Sequence, residues 1–201
     1  MKQINKILIG THNLGKFKEL RFLLPKKIKI ISPFGLKLKS PKETGKSFAE
    51  NSKIKVNYFF KKTKITTIAD DSGLAINCLG GNPGIYSARW ANKYGSFHSA
   101  MKKILLMVKK KNKNKKVKCY KAKFVCNLTI KDINGSLKSS TGIIYGKISN
   151  VIIGKKGFGY DPIFIPNNKK ITFGQMLKTK KIKMDHRFIA FKKLKQKINS
   201  L

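Results

Sequence analysis

The stretch Ile65-Thr66-Thr67-Ile68-Ala69-Asp70-Asp71-Ser72-Gly73-Leu74 carries a short, β-branched apolar run into two adjacent carboxylates and a glycine. Such a run, bounded by Asp and Gly, reads as a buried strand that opens into a loop at the acidic pair. In α/β proteins that end of a strand is where ligand chemistry sits. The chain holds only eight acidic residues, Glu19, Glu43, Glu50, Asp70, Asp71, Asp132, Asp161 and Asp185, against 46 lysines and arginines. Two neighbours out of so few are not there for solubility. They are a metal or acid/base pair, or else Asp71 and Ser72 form a cap or an Asx turn. Successive strand residues point to opposite faces, so only one of the two can face a site unless the loop has already begun.

Towards the N-terminus, residues 6–11 read as a buried strand and residues 15–24 as a helix, with Phe17, Leu20, Leu23 and Leu24 at helical spacing. Between them lies Gly10-Thr11-His12-Asn13-Leu14-Gly15-Lys16. Such a loop either aims backbone N–H groups and a helix start at an anion, with Lys16 as counter-charge, or is an ordinary turn capped by Asn13. It spells G-x-x-x-x-G-K, but Phe17 stands where a P-loop needs Ser or Thr for magnesium, which argues against a P-loop phosphotransferase. Residues 27–32 form a second short strand and residues 33–46 a Pro/Gly loop that carries Glu43. Ser47 then caps a helix over 48–62, with Glu50 at the capping-box position.

Towards the C-terminus, the stretch Gly80-Gly81-Asn82-Pro83-Gly84-Ile85-Tyr86-Ser87-Ala88-Arg89-Trp90 reads as a loop, since three Gly and a Pro within five residues forbid regular structure. Residues 99–108 make an amphipathic helix with Met101, Ile104, Leu105 and Val108 on one stripe, and residues 109–118 a solvated Lys/Asn loop. Asn134-Gly135 between residues 119–131 and 136–149 signals an antiparallel hairpin. Gly157-Phe158-Gly159 either lays an aromatic ring against a ligand or is a bulge at a strand start. Asp185 caps a terminal helix over 188–198, with His186 and Arg187 in its first turn, where the helix dipole does not favour cations. The order of elements predicts an α/β protein with a mixed β-sheet flanked by helices.

The 201 residues suffice for one domain with a sizeable core, residues 1–201, bilobed in outline. The net charge of +38 draws anions towards a cleft and raises the alternative of a nucleic-acid-binding protein. The charge is almost all lysine, however. Arg21, Arg89 and Arg187 are the only arginines, whereas base-reading surfaces favour the arginine fork. Lys, Ile, Asn and Phe abound throughout, as drift towards AT-rich codons would produce, and no specific nucleic-acid partner is expected. No apolar run is long enough to span a membrane, and Ile7-Leu8-Ile9 is too short for a secretory signal. Cys78, Cys119 and Cys126, odd in number and without C-x-x-C spacing, fit a reducing, cytoplasmic setting.

Thr11-His12-Asn13-Leu14-Gly15-Lys16, Ala69-Asp70-Asp71-Ser72-Gly73-Leu74, Leu79-Gly80-Gly81-Asn82-Pro83-Gly84-Ile85-Tyr86-Ser87-Ala88-Arg89, Gly157-Phe158-Gly159-Tyr160-Asp161-Pro162 and His186-Arg187 occur together and in order. This set resembles the inosine/xanthosine triphosphate pyrophosphatase family, hydrolases of non-standard purine nucleoside triphosphates. The resemblance implies an elongated mixed α/β fold of two lobes with a central active-site cleft, and a homodimer. The implied reaction converts ITP, dITP or XTP and water into the monophosphate and pyrophosphate, with Mg²⁺. Carried over by position, Thr11, His12, Asn13, Leu14, Gly15 and Lys16 are implied as the triphosphate cradle. Asp71 is implied as acid/base residue and metal ligand, Glu43 as the second metal carboxylate and Ser72 as a substrate contact. Lys55 and Lys181 are implied as phosphate-binding lysines, Phe158, Gly159, Tyr160 and Asp161 as the base-stacking and sugar-contacting segment, and His186 with Arg187 as readers of the purine 6-oxo edge. Two positions depart from the family pattern: Lys42 stands where an acid often accompanies Glu43, and Asp185 where a serine commonly precedes the His-Arg pair.

Overall fold

The computed structural model describes residues 4–198. Its strands and helices follow the expected order: β1 (Lys6–Ile9), α1 (Leu14–Leu23), β2 (Lys29–Ile31), α2 (Phe48–Thr63), β3 (Thr67–Ile76), α3 (Ser87–Lys93), α4 (Phe97–Asn112), β4 (Lys121–Lys131), β5 (Leu137–Ile148), β6 (Phe164–Pro166), α5 (Lys178–Lys181) and α6 (His186–Gln196). The six strands form one sheet in the order β2-β1-β3-β4-β5-β6. It is mixed, since β1 pairs in parallel with both β2 and β3 while β5 pairs antiparallel with β6.

The chain divides into two compact units, one of residues 4–71, 126–142 and 186–198 and the other of residues 72–125 and 143–185. Each has its own apolar core. In the first unit Ile7, Ile9, Leu20, Ile68, Leu128, Phe191 and Leu194 pack together. In the second, Leu74, Ile76, Ile104, Phe124, Ile163, Phe164 and Phe173 do so. The boundary falls inside β3, β4 and β5, so that Asp71 and Ser72, adjacent in β3, belong to different units.

One expectation is overturned at the centre of the chain. The strand does not stop at the acidic pair: β3 runs ten residues, from Thr67 through Asp70 and Asp71 to Ile76, with all but Ser72 buried. A bare carboxylate would end a buried strand because its desolvation is prohibitive. Here cations from α1, α2 and α6 supply the missing partners. The helix caps do follow the sequence. Asn13 Oδ1 accepts the Lys16 N–H at 3.0 Å, and Ser47 Oγ accepts the Glu50 N–H at 3.1 Å. The Glu50 carboxylate takes the Lys46 N–H at 2.7 Å, one residue before the usual capping-box donor.

In the second unit the glycine-rich stretch is less irregular than expected. Gly80 and Gly81 turn the chain at φ 62° and 82°, but from Gly84 it is helical, first as a 3₁₀ turn and then as α3. After Gly84 no residue breaks a helix. The turn lies directly on β3: a Cβ at Gly73 would fall 2.2 Å from the Gly84 carbonyl oxygen, and the Leu74 N–H donates to Ser87 Oγ at 3.0 Å. Helix α4 begins earlier than expected, capped by Ser96 Oγ on the Ser99 N–H at 3.0 Å, and takes Lys109 to Asn112 out of the predicted loop. Buried Asn112 then clamps the rest of the lysine run, accepting the Cys119 N–H at 2.7 Å and donating to the Cys119 carbonyl at 3.1 Å. The expected hairpin is present as β4 and β5 around Gly135 at φ 83°, with Asp132 Oδ1 accepting the N–H groups of Asn134 and Ser136.

Candidate active site

Strand alternation gives the two aspartates separate surroundings in the first unit. The Asp70 carboxylate, fully buried, accepts from Arg187 Nη2 at 3.0 Å and Nε at 3.3 Å, and pairs with Lys16 Nζ at 3.4 Å. Arg187 also pairs with Glu19 of α1 and is itself 0% exposed. Burial pushes the Asp70 carboxyl up, but Lys16, Arg187 and Lys55 outweigh it and hold the group far below the ordinary carboxylate range.

Asp71 meets helix α2 instead. Asn51 Nδ2 donates to its Oδ2 at 3.2 Å, and Lys55 Nζ lies 3.3 Å from its Oδ1. Asn51 and Lys55 are one helical turn apart and so reach the same carboxylate from one face. The Lys55 ammonium also lies 2.8 Å from Glu43 Oε1, and so joins the two carboxylates that the motif pattern singled out. Burial pushes the Asp71 carboxyl above its ordinary value. Lys55 and Lys16 oppose this, but Glu43 and Asp70 repel the ionised form and add to it. Burial works against the charge on Lys55, yet Asp71, Asp70 and Glu43 together keep its pKa raised. The cluster therefore sets a lysine whose charged form is favoured beside a carboxylate whose ionised form is disfavoured.

Helix α2 is held to the sheet at this point by hydroxyls: Ser52 Oγ lies 2.6 Å from Asn127 Oδ1 and 2.7 Å from Thr129 Oγ1 of β4. Its buried stripe is polar over Asn51, Ser52 and Lys55 and turns apolar at Val56 and Phe59. That switch along one helix face is the signal by which Asn51 could have been found from sequence. In a chain rich in lysine and asparagine throughout, that signal is faint. Glu19, the buried partner of Arg187, carries no comparable signal in the sequence.

The loop before α1 is stitched to itself and to its neighbours. Thr11 Oγ1 accepts the Asn13 N–H at 3.2 Å, so this N–H and that of Lys16 are engaged by side chains and not directed at solvent. The His12 ring nitrogens contact the Leu38 carbonyl at 2.7 Å and Ser40 Oγ at 2.6 Å. Leu14 is exposed and Gly15 follows it inside α1. Of this segment the cation at Lys16 is the part brought beside the aspartates.

In the second unit Lys181, implied as a phosphate-binding lysine, is buried. It is 2% exposed, with Nζ 2.8 Å from Asp161 Oδ2 and 3.8 Å from Asp185 Oδ2. The ammonium also lies 4.8 Å from the centre of the Phe158 ring and 5.5 Å from that of Phe173. Asp161 Oδ2 accepts the Phe158 N–H at 2.9 Å, while the buried Tyr160 donates its hydroxyl to the Ser87 carbonyl at 2.8 Å. Within Phe158, Gly159, Tyr160 and Asp161, the aromatic ring of Phe158 is thus half-buried and braced, and Tyr160 and Asp161 face inwards. Ser72 is half-buried on β3. His186 and Arg187 do not project from the start of α6; both are buried in the first unit.

Among the described residues no three His, Cys, Asp or Glu side chains cluster as a closed metal cage. Glu43 and Asp71 fit a different kind of site. Magnesium commonly takes one or two carboxylates and completes its shell with water and substrate phosphates. Two carboxylates already gathered on one ammonium are such a donor set.

Comparison with known proteins matches the model of the Ham1 family to residues 7–197. A dITP/XTP pyrophosphatase of Christiangramia forsetii is 37% identical over 190 residues, covering 94% of this chain and 96% of its own. One of Bacillus subtilis is 36% identical over 194 residues, covering 95% and 96%. Among solved structures, a HAM1 protein from Coxiella burnetii superimposes with a TM-score of 0.85 at 29% identity, covering 98% of this chain and 99% of that one.

Proposed function

Because the chain belongs to the Ham1 family, we propose that it hydrolyses dITP, ITP and XTP to the monophosphate and pyrophosphate, clearing non-standard purines from the nucleotide pool. The observation that carries the reading is Asp71: a carboxylate raised in pKa on a buried strand, tied through Lys55 to Glu43. Water attacks the α-phosphorus and Asp71 takes its proton. The new P–O bond forms as the bond from that phosphorus to the bridging oxygen breaks, and pyrophosphate leaves. Lys55 and Lys16 supply positive charge to the phosphates, and Thr11, His12, Asn13, Leu14 and Gly15 shape the turn that carries Lys16. Glu43 and Asp71 would hold Mg²⁺, which as a Lewis acid offsets charge developing on the phosphate oxygens. Lys42 beside Glu43 adds no acidic ligand.

The same reading assigns Phe158, Gly159, Tyr160 and Asp161 to base stacking and sugar contact, Lys181 to phosphate binding and Ser72 to a substrate contact. His186 and Arg187 would donate to a 6-oxo purine; adenine would leave those donors unpaired, at about 1–3 kcal/mol each. For Arg187 this requires the guanidinium to release Glu19 or Asp70. The enzyme would act as a homodimer in the cytoplasm, where its substrates are. Among the described residues no helix is long and apolar enough to cross a membrane.

Incubation with ITP and Mg²⁺ tests the reaction: pyrophosphate and IMP are expected, and orthophosphate with IDP would overturn it. Loss of the preference for ITP over ATP in Arg187→Ala tests the base assignment, and an unchanged ratio refutes it. Sedimentation at equilibrium reads the dimer, and a single protomer mass would remove it.

A further inference from the structure

We infer that Asn51 is a positioning residue that sets the spacing between Glu43 and Asp71; the inference rests on the assignment of those two carboxylates to the reaction. The Asn51 side chain is fully buried and spans the two segments that carry them. Its Oδ1 accepts the Gly45 N–H at 2.8 Å, two residues along the loop from Glu43, and its Nδ2 donates to Asp71 Oδ2 at 3.2 Å. A backbone N–H at one end and a carboxylate at the other dictate which end of the amide is oxygen and which nitrogen. An amide of this length alone satisfies both. Aspartate lacks the donor, alanine lacks both groups, and glutamine is one methylene too long for a site already in contact.

The loop is shaped to receive it. A Cβ at Gly45 would fall 2.6 Å from Glu50 Cβ and 2.7 Å from Asn51 Oδ1, so the close approach requires glycine there. A second tie, from the Lys46 N–H to Glu50 Oε2 at 2.7 Å, fastens the next residue to the same turn of α2.

Lys55 joins Glu43 and Asp71 as well, but through charge. A divalent cation brought to those oxygens repels the ammonium and competes with it directly. The neutral amide of Asn51 does not compete, and it binds the loop through its backbone. It therefore keeps the two carboxylates at one separation before and after the cation arrives, which a charge clasp does not do.

The test compares Asn51→Ala and Asn51→Asp with the parent enzyme, at a temperature well below each melting point. Ser47→Ala, which loosens the start of α2 without touching the bridge, serves as control, and Asp71→Asn is measured in parallel. Steady-state kinetics on ITP are read together with Mn²⁺ binding by electron paramagnetic resonance without nucleotide. At least a tenfold loss of kcat is expected in both Asn51 variants, with KM for ITP within threefold of the parent. Mn²⁺ affinity should fall at least tenfold in Asn51→Ala, and Ser47→Ala should keep both kcat and Mn²⁺ affinity. If Asn51→Ala does not fold, the near-isosteric Asn51→Asp decides by its kcat. Asn51 variants that keep kcat within threefold, while Asp71→Asn is inactive, would overturn the inference and leave the assignment of the site standing. An active Asp71→Asn would overturn both.

Discussion

Asp70 and Asp71 are the same residue type, adjacent on one strand, and both buried, yet their environments drive them in opposite directions. Asp70 is clamped by Arg187 and Lys16 and remains ionised well into acid. Asp71 faces one lysine, one amide and a second carboxylate, and its affinity for protons rises. Alternation along a strand is enough to separate them, because it presents each to a different set of helices. Arg187, which was expected at the substrate, serves in this structure as a counter-ion of Asp70. One carboxylate thereby joins α1, β3 and α6, and the other meets α2 through Asn51 and Lys55.

The sharpest way to break this contrast is to neutralise each aspartate in turn. Asp71→Asn is expected to lower kcat on ITP by about 10²–10⁴-fold, as loss of a general base does, without lowering the melting temperature. Its raised pKa means that the ionised form is disfavoured in the folded state, so removing the charge at neutral pH relieves a cost. A melting temperature lowered as much as in Asp70→Asn would erase the distinction. Arg187→Ala leaves Asp70 and Glu19 buried without their shared cation and should destabilise by about 3–5 kcal/mol, or on the order of 10 °C in melting temperature by calorimetry.

Acid sharpens the same contrast. With its folded pKa depressed, Asp70 contributes stability that is fully present above the ordinary carboxylate pKa and is lost as pH falls towards the folded value. Asp71, raised, behaves in the reverse sense: its cost disappears as it takes up a proton. In urea titrations from about pH 7 to about pH 3, the difference between Asp70→Asn and the parent should therefore hold down to about pH 4 and shrink below it. A difference that stays constant below about pH 4 would contradict the pairing. The smallest effect is expected at Ser47→Ala, about 1 kcal/mol from loss of one helix cap, with turnover unchanged.

Much of the scaffold was legible along the chain. Asn13 and Ser47 declared their caps, Asn134-Gly135 its hairpin, and Met101, Ile104 and Val108 the inner stripe of α4. The errors came where distant charges intervened. The acidic pair read as the end of a strand because nothing nearby in sequence could neutralise it; the arginine that does so stands 117 residues away. The surroundings of Lys181, Asp161 with the rings of Phe158 and Phe173, were likewise not readable from its neighbours in sequence. Arg187 at a helix start breaks a local rule because it is buried against Glu19 and Asp70, which no neighbouring residue signals.

The amino-acid sequence by itself determined the order and type of the elements, their caps and turns, and the small set of carboxylates available for chemistry. Those depend on backbone preference and on periodicities of a few residues. Only the tertiary structure decided which aspartate Arg187 holds and which meets Lys55, and that Asn51 bridges the Gly45 N–H and the Asp71 carboxylate. The charge state of a buried group depends on partners that chain folding brings in from elsewhere, and no local pattern records them.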